Sequence, residues 1–341
     1  MSSITLSNLS VGYQQARRTP TAVLVGLNAT LCSGRLTCLV GANGIGKSTL
    51  LRTLAAFQPP IAGQIHYYSG EQAAPINLAT LSQARLARLV SVVLTAKPSV
   101  ENLSVEQIVG LGRSPYTNIW GTLRAEDRRM VDWAMDVVGI TSLRHRLVQT
   151  LSDGERQKMM IAKALAQDTP VILLDEPTAF LDYKSKVEVL GLLARLAHET
   201  NKMVLLSTHD LEQAVHAADA LWVVAKQQLG DGTQLSDQSD SSGMSDKSDK
   251  SDKSDKSDKS DKPNGHDVPN SFAQCHHLPQ LYVLEKHIHP TEQGHQLVFQ
   301  PSPDTPAPPQ LTLTATPDFE KRTQELLRLL GEEVKGEKVK R

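Results

Sequence analysis

The stretch Gly41-Ala42-Asn43-Gly44-Ile45-Gly46-Lys47-Ser48-Thr49 places three glycines ahead of a lysine and two adjacent hydroxyls. Glycines leave successive backbone N–H groups free to converge on phosphate oxygens, a lysine neutralises the β- and γ-phosphates, and the first hydroxyl offers an oxygen to Mg²⁺. The ligand that suits this chemistry is a nucleoside triphosphate, ATP before others. A glycine-rich turn without a ligand is the plain alternative, and the flanking residues argue against it. Leu36 to Val40 form an apolar run suited to a buried strand, while Leu50, Leu51, Leu54 and Phe57 recur at helical spacing. The loop therefore joins a strand to a helix N-terminus, whose positive dipole end adds to the attraction for an anion.

A second chemical group follows the apolar run Val171 to Leu174, which ends in Asp175-Glu176. Ligands of open α/β sheets bind at the C-terminal ends of the strands, so Asp175 is placed to reach a Mg²⁺ shell and Glu176 to face the water that attacks the γ-phosphorus. A pair of solvated turn acids before Pro177 is the bland reading. Met203 to Leu206 repeat the pattern ahead of Ser207-Thr208-His209, a buried strand carrying polar residues at its end. Between these groups, Leu151-Ser152-Asp153-Gly154-Glu155 precedes the helical run Arg156 to Leu165. Ser152 and Glu155 have the spacing of a capping box, and a capped N-terminus with the Ser152 hydroxyl and the Gly154 N–H exposed is also an anion site.

These elements, taken in order with Tyr13 before them and Ala179-Phe180-Leu181-Asp182 near the end, resemble the ATP-binding cassette family over roughly residues 3 to 230. The resemblance implies an α/β P-loop NTPase fold of the ABC nucleotide-binding type, with a RecA-like core, an antiparallel β subdomain and a helical subdomain over about residues 96–165. It implies ATP and Mg²⁺ as cofactors. Tyr13 would stack on adenine, and Asn43, Gly44, Gly46, Lys47, Ser48 and Thr49 would bind ATP. Ser48 and Asp175 would hold Mg²⁺, and Glu176 would act as general base or water-orienting group with His209 at the γ-phosphate. Ser152 and Gly154 would contact the ATP of the opposite subunit of a homodimer, and Asp182 would communicate across it.

Gly112-Arg113-Ser114-Pro115, then Asp127 and Ala164 to Asp168, look most like cassettes serving importers of iron-siderophore, haem or cobalamin. That likeness implies separate membrane permease subunits, a substrate-binding protein acting indirectly, and a peripheral place on the cytoplasmic face of the inner membrane. A soluble cassette ATPase of iron–sulfur cluster assembly or another non-transport role is the alternative. Two departures stand out. Thr95 occupies the place where the family carries a glutamine that touches Mg²⁺, and its shorter side chain reaches the metal through a water at most. Asp153 and Glu155 bring carboxylates to a helix end that should meet a phosphate, so both are expected to point away from the nucleotide.

The formal net charge of −1 gives no reason to expect nucleic acid as a partner. Cys32, Cys38 and Cys275 lie far apart with no paired metal spacing, which suits a reducing cytoplasm. No apolar run approaches the ~18 residues that span a bilayer. The domain is expected over residues 1–235, followed by a disordered linker over 236–262 that contains six Ser-Asp-Lys triplets with nothing to bury. A partly disordered C-terminal extension is expected over 263–341, with a strand at Leu281 to Leu284 and a terminal helix over 317–330 whose face carries Phe319, Leu326, Leu327 and Leu330. His266, His276, His277, His287, His289 and His295 fall in this tail without tight ligand spacing, and are expected to be neutral surface residues.

Overall fold

A computed structural model of the chain describes residues 1–14, 19–70, 74–95, 102–225, 279–291 and 294–302. The chain begins with β1 (Ser3–Tyr13), β2 (Thr21–Cys32), β3 (Arg35–Val40), α1 (Lys47–Leu54), β4 (Ala62–Tyr68), β5 (Ile76–Asn77), α2 (Gln83–Leu86) and β6 (Val90–Val93). A helical segment follows, with α3 (Val105–Gly110), α4 (Ala125–Val137) and α5 (Asp153–Ala166). The remainder holds β7 (Val171–Asp175), α6 (Tyr183–Thr200), β8 (Met203–Thr208), α7 (Leu211–Ala217), β9 (Ala220–Ala225), β10 (Gln280–Thr291) and β11 (Gly294–Pro301).

The strands form an antiparallel sheet in the order β2-β1-β4-β5 and a larger sheet in the order β11-β10-β9-β3-β8-β7-β6. In the larger sheet β9, β3, β8, β7 and β6 run parallel. Their unbroken apolar sequences follow from burial on both faces. Ile172 and Leu174 enter the core shared with the helical layer, whereas Val171 and Leu173 enter the core shared with α1 and the antiparallel sheet. Because parallel strands end on one side, Val40, Asp175 and Thr208 deliver the chain to a common edge. The helical stripe expected to include Phe57 is shorter than its spacing suggests: α1 ends at Leu54, Ala56 takes φ 51°, and Phe57 is left exposed.

The motif around Arg113 proves to be a buried clamp. Arg113 Nε meets Asp127 Oδ1 at 2.9 Å, and Nη1 donates to the Ala166 carbonyl at 2.9 Å. Burial pushes the Asp127 carboxyl up, but the N–H of Arg124 and the Arg113 guanidinium outweigh it and hold the group below the usual carboxylate range. A Cβ on Gly112 would lie 2.2 Å from the Lys163 carbonyl, so the backbone approach to α5 admits only glycine. Gln167 at the end of α5 donates to the carbonyls of Ala87 and Val90, which fastens the helical layer to β6.

The strand expected at Leu281 to Leu284 lies within β10, which pairs antiparallel with β9 from Gln280 opposite Ala225 to Glu285 opposite Ala220. Leu281 and Val283 pack into one core, Tyr282 and Leu284 into the other. Residues on both sides of 226–279 thus belong to one sheet, because the edge of β9 exposes unpaired backbone groups and apolar faces that a further strand covers. The 236–262 segment and the helix expected over 317–330 lie outside the described residues, as does the extension beyond residue 302. Among the described residues, no helix is long and apolar enough to cross a membrane.

Candidate functional site

The seven residues expected to bind ATP, Tyr13, Asn43, Gly44, Gly46, Lys47, Ser48 and Thr49, line one cleft together with Val23 and Glu176. The cleft exists because β3 and α1 hold the two ends of the loop. Gly46 is the N-cap of α1 at φ 119°, with no side-chain hydrogen bond closing the helix end. A Cβ there would stand 2.7 Å from Val23 Cγ1, so the turn requires glycine both for its angle and for its space. Tyr13, at the end of β1, places its hydroxyl 3.1 Å from Thr49 Oγ1.

Lys47 is buried and donates from Nζ to the carbonyls of Gly41 at 2.8 Å and Ala42 at 3.2 Å. Burial pulls its ammonium below the ordinary lysine range, while Glu176 and Asp175 pull it back. The cation is held against the loop's own carbonyls, and an anion entering the cleft would offset its desolvation cost.

Asp175 and Glu176 arrive from β7. Ser48 Oγ donates to Asp175 Oδ1 at 3.0 Å, which sets a hydroxyl oxygen beside a carboxylate oxygen. That donor pair fits a hard cation such as Mg²⁺. Glu176 Oε1 lies 3.8 Å from Lys47 Nζ and 3.6 Å from His209 Nδ1, so its carboxylate stands between a fixed cation and the imidazole delivered by β8. Glu176 sits at φ 48°, a left-handed conformation that costs a non-glycine residue about 1–3 kcal/mol and persists only where the surroundings impose it.

Two hydroxyls hold the peptide unit that precedes Glu176. Ser207 Oγ donates to Asp175 Oδ1 at 2.7 Å and accepts the N–H of Glu176 at 2.9 Å. Ser207 was legible only as one polar residue at a strand end; its role depends on lying level with Asp175 in the β7–β8 register, which no local pattern discloses. Thr95, expected to reach a metal through water, donates its hydroxyl to the main-chain carbonyl of Asp175 at 2.7 Å.

Ser152, Gly154 and Asp182 do not line the cleft. Ser152 caps α5 and Asp182 caps α6, and a Cβ on Gly154 would lie 3.4 Å from Ser185 Oγ, so these helix ends neighbour each other elsewhere on the surface. Glu155 turns back onto Ser152, accepting from its N–H at 2.8 Å and from its hydroxyl at 2.9 Å, with Arg146 at 3.1 Å. Asp153 faces Arg156 at 3.5 Å. The Ser152 N–H foremost, and Arg146 with it, hold the Glu155 carboxyl below its ordinary range against the opposing effect of burial.

Residues 24–179 match the family described as ABC transporter. The chain is 33% identical over 236 residues to the iron(3+)-hydroxamate import ATP-binding protein of Bacillus subtilis (strain 168), a match that covers 69% of this chain and 84% of that protein. It is 38% identical over 224 residues to the achromobactin transport ATP-binding protein of Dickeya dadantii (strain 3937), covering 66% and 79%. Among solved structures it is similar to an inward-facing metal-chelate type ABC transporter, with a TM-score of 0.56 and 25% identity over 89% of this chain and 99% of that one.

Proposed function

This chain belongs to the ABC transporter family as an ATP-binding, ATP-hydrolysing subunit, and from that premise we propose that it energises uptake of an iron-siderophore, haem or cobalamin-type substrate through separate permease subunits. The importer names of its relatives favour this reading over a soluble ATPase of iron–sulfur cluster assembly. In this reading two copies form a dimer on the cytoplasmic face of the inner membrane, held there by the permease and served by a substrate-binding protein.

The observation that carries the proposal is the meeting of Lys47, Ser48, Asp175, Glu176 and His209, from three separate strand ends, around one cleft. Tyr13 would stack on adenine, and the loop N–H groups with Asn43, Gly44, Gly46, Lys47 and Thr49 would hold the phosphates. Ser48 and Asp175 would hold Mg²⁺, which supplies charge neutralisation on the phosphates. Glu176 would orient the attacking water and accept its proton, with His209 at the γ-phosphate. Ser152 and Gly154 would contact ATP bound by the second copy, and Asp182 would communicate between the two sites.

The test is Glu176→Gln, purified with ATP from membranes of its own host. Turnover is expected to fall roughly 100-fold or more, the scale of a lost general base, while ATP binding persists and an ATP-bound dimer accumulates with a polytopic membrane protein. Turnover within a few-fold of wild type would remove Glu176 from the role, and recovery with a soluble iron–sulfur scaffold in place of a membrane protein would overturn the importer reading.

A further inference from the structure

The peptide unit that joins Asp175 to Glu176 is held on both of its polar groups by side chains, one from β8 and one from just beyond β6. Its carbonyl accepts from Thr95 Oγ1 at 2.7 Å, and its N–H donates to Ser207 Oγ at 2.9 Å. The residue that follows this unit is Glu176 at φ 48°. Rotating the peptide plane would break both bonds and swing the Glu176 carboxylate away from Lys47 and His209. Thr95 lies two residues past the end of β6, at the point where the chain leaves the parallel sheet for the helical segment.

We propose that Thr95 is a positioning residue: its hydroxyl, with that of Ser207, fixes the peptide plane between Asp175 and Glu176, so the aim of the Glu176 carboxylate depends on where the chain leaves β6. The inference rests on the ATPase reading above and adds a residue that acts through the backbone of the two acids. Threonine suits the task because its β-branched side chain is stiff and its hydroxyl is short, so it reaches the neighbouring strand's carbonyl in one conformation.

The test compares Thr95→Val, which keeps the shape and removes the hydroxyl, with Thr95→Ser, which keeps the hydroxyl, and with Thr95→Ala as a second removal. Steady-state ATP hydrolysis and calorimetric titration of ATP with and without Mg²⁺ are measured on the full chain. Thr95→Val and Thr95→Ala should each lower kcat about tenfold with KM nearly unchanged, the scale of one lost hydrogen bond. Thr95→Ser should recover most of the turnover, and the Mg²⁺ dependence of ATP affinity should stay the same in every variant. Valine and alanine variants within twofold of wild type would overturn the proposal while leaving the ATPase reading intact. A rise in the Mg²⁺ needed for ATP binding would also overturn it, because Thr95 would then act on the metal. A wild-type chain that neither binds nor hydrolyses ATP would bring down the ATPase reading, and this inference with it.

Discussion

The two helix N-termini to which the proposed function gives a phosphate-binding role are built in opposite ways. The first, at α1, is capped by Gly46 with no side-chain bond, has no acid in its first turn, and places Lys47 in the lining of the cleft. The second, at α5, is closed by a capping box in which Ser152 and Glu155 satisfy each other, and its first turn carries Asp153 as well. An open end binds an anion without rearrangement. A closed end is stabilised by its own carboxylate, and its hydroxyl must leave that carboxylate before it can serve an incoming phosphate. The difference suits one site complete within a chain and another that engages only when a second copy arrives.

The largest effect should come from breaking each end in turn. Lys47→Ala is expected to weaken nucleotide binding roughly 100-fold or more by calorimetry, the scale of lost charge-assisted hydrogen bonds, without unfolding the domain. Ser152→Arg in the same assay should leave binding to the single chain nearly intact yet abolish hydrolysis. A mixed dimer of Lys47→Ala with Ser152→Arg keeps one intact composite site, so its activity should return toward half that of wild type. Silent mixtures with verified heterodimers would show that the closed end does not act across a dimer.

A smaller effect should follow from opening the closed end. Glu155→Gln replaces a charge-assisted bond to Ser152 by a neutral one and removes a negative charge, so ATP-driven dimerisation should strengthen a few-fold in sedimentation experiments. The helix loses about 0.3–1 kcal/mol of favourable charge at its N-terminus. Because the folded Glu155 carboxyl is held below its ordinary range, its stabilising contribution is present above the unfolded carboxylate pKa of about 4.3 and disappears as pH falls through the lower folded value. The melting temperature of wild type should therefore exceed that of Glu155→Gln at neutral pH, with the gap closing below about pH 4. A gap that widened on acidification would show that Glu155 is not held as an ion.

The smallest effect should come from deleting residues 236–262, where Met244 is the one apolar residue among Ser, Asp, Lys, Gln and Gly. Melting temperature should move by no more than about 1–2 °C, and both helix ends should behave as before. A loss of several degrees in a thermal scan would mean that this segment packs against the domain and that the comparison of the two ends omits a third partner.

Much of the open end was legible because its signals are local. Glycines, a lysine and two hydroxyls between an apolar run and a helical stripe lie within a few residues of one another, and their geometry follows from that proximity. The acids of β7 and the imidazole after β8 were legible for a related reason: doubly buried parallel strands read as unbroken apolar runs, and the polar residues that end them must share an edge. The closed end was half legible. Spacing alone indicated the capping box at Ser152 and Glu155, but not that the serine hydroxyl would be donated to the glutamate, which also depends on Arg146 from the preceding turn.

By itself the sequence determined where the glycine-rich loop and the capping box lie, which strands are buried on both faces and where polar groups leave them, since each depends on residue types within one turn or one strand. Only the tertiary structure decided that β10 returns to β9, that Arg113 closes on Asp127 and Ala166, and that Thr95 and Ser207 grip the peptide between Asp175 and Glu176. Those contacts join residues far apart in the chain, and their geometry is set by strand register and by the distance between neighbouring strands. Neither quantity is carried by any one segment; both arise when the strands pack against one another.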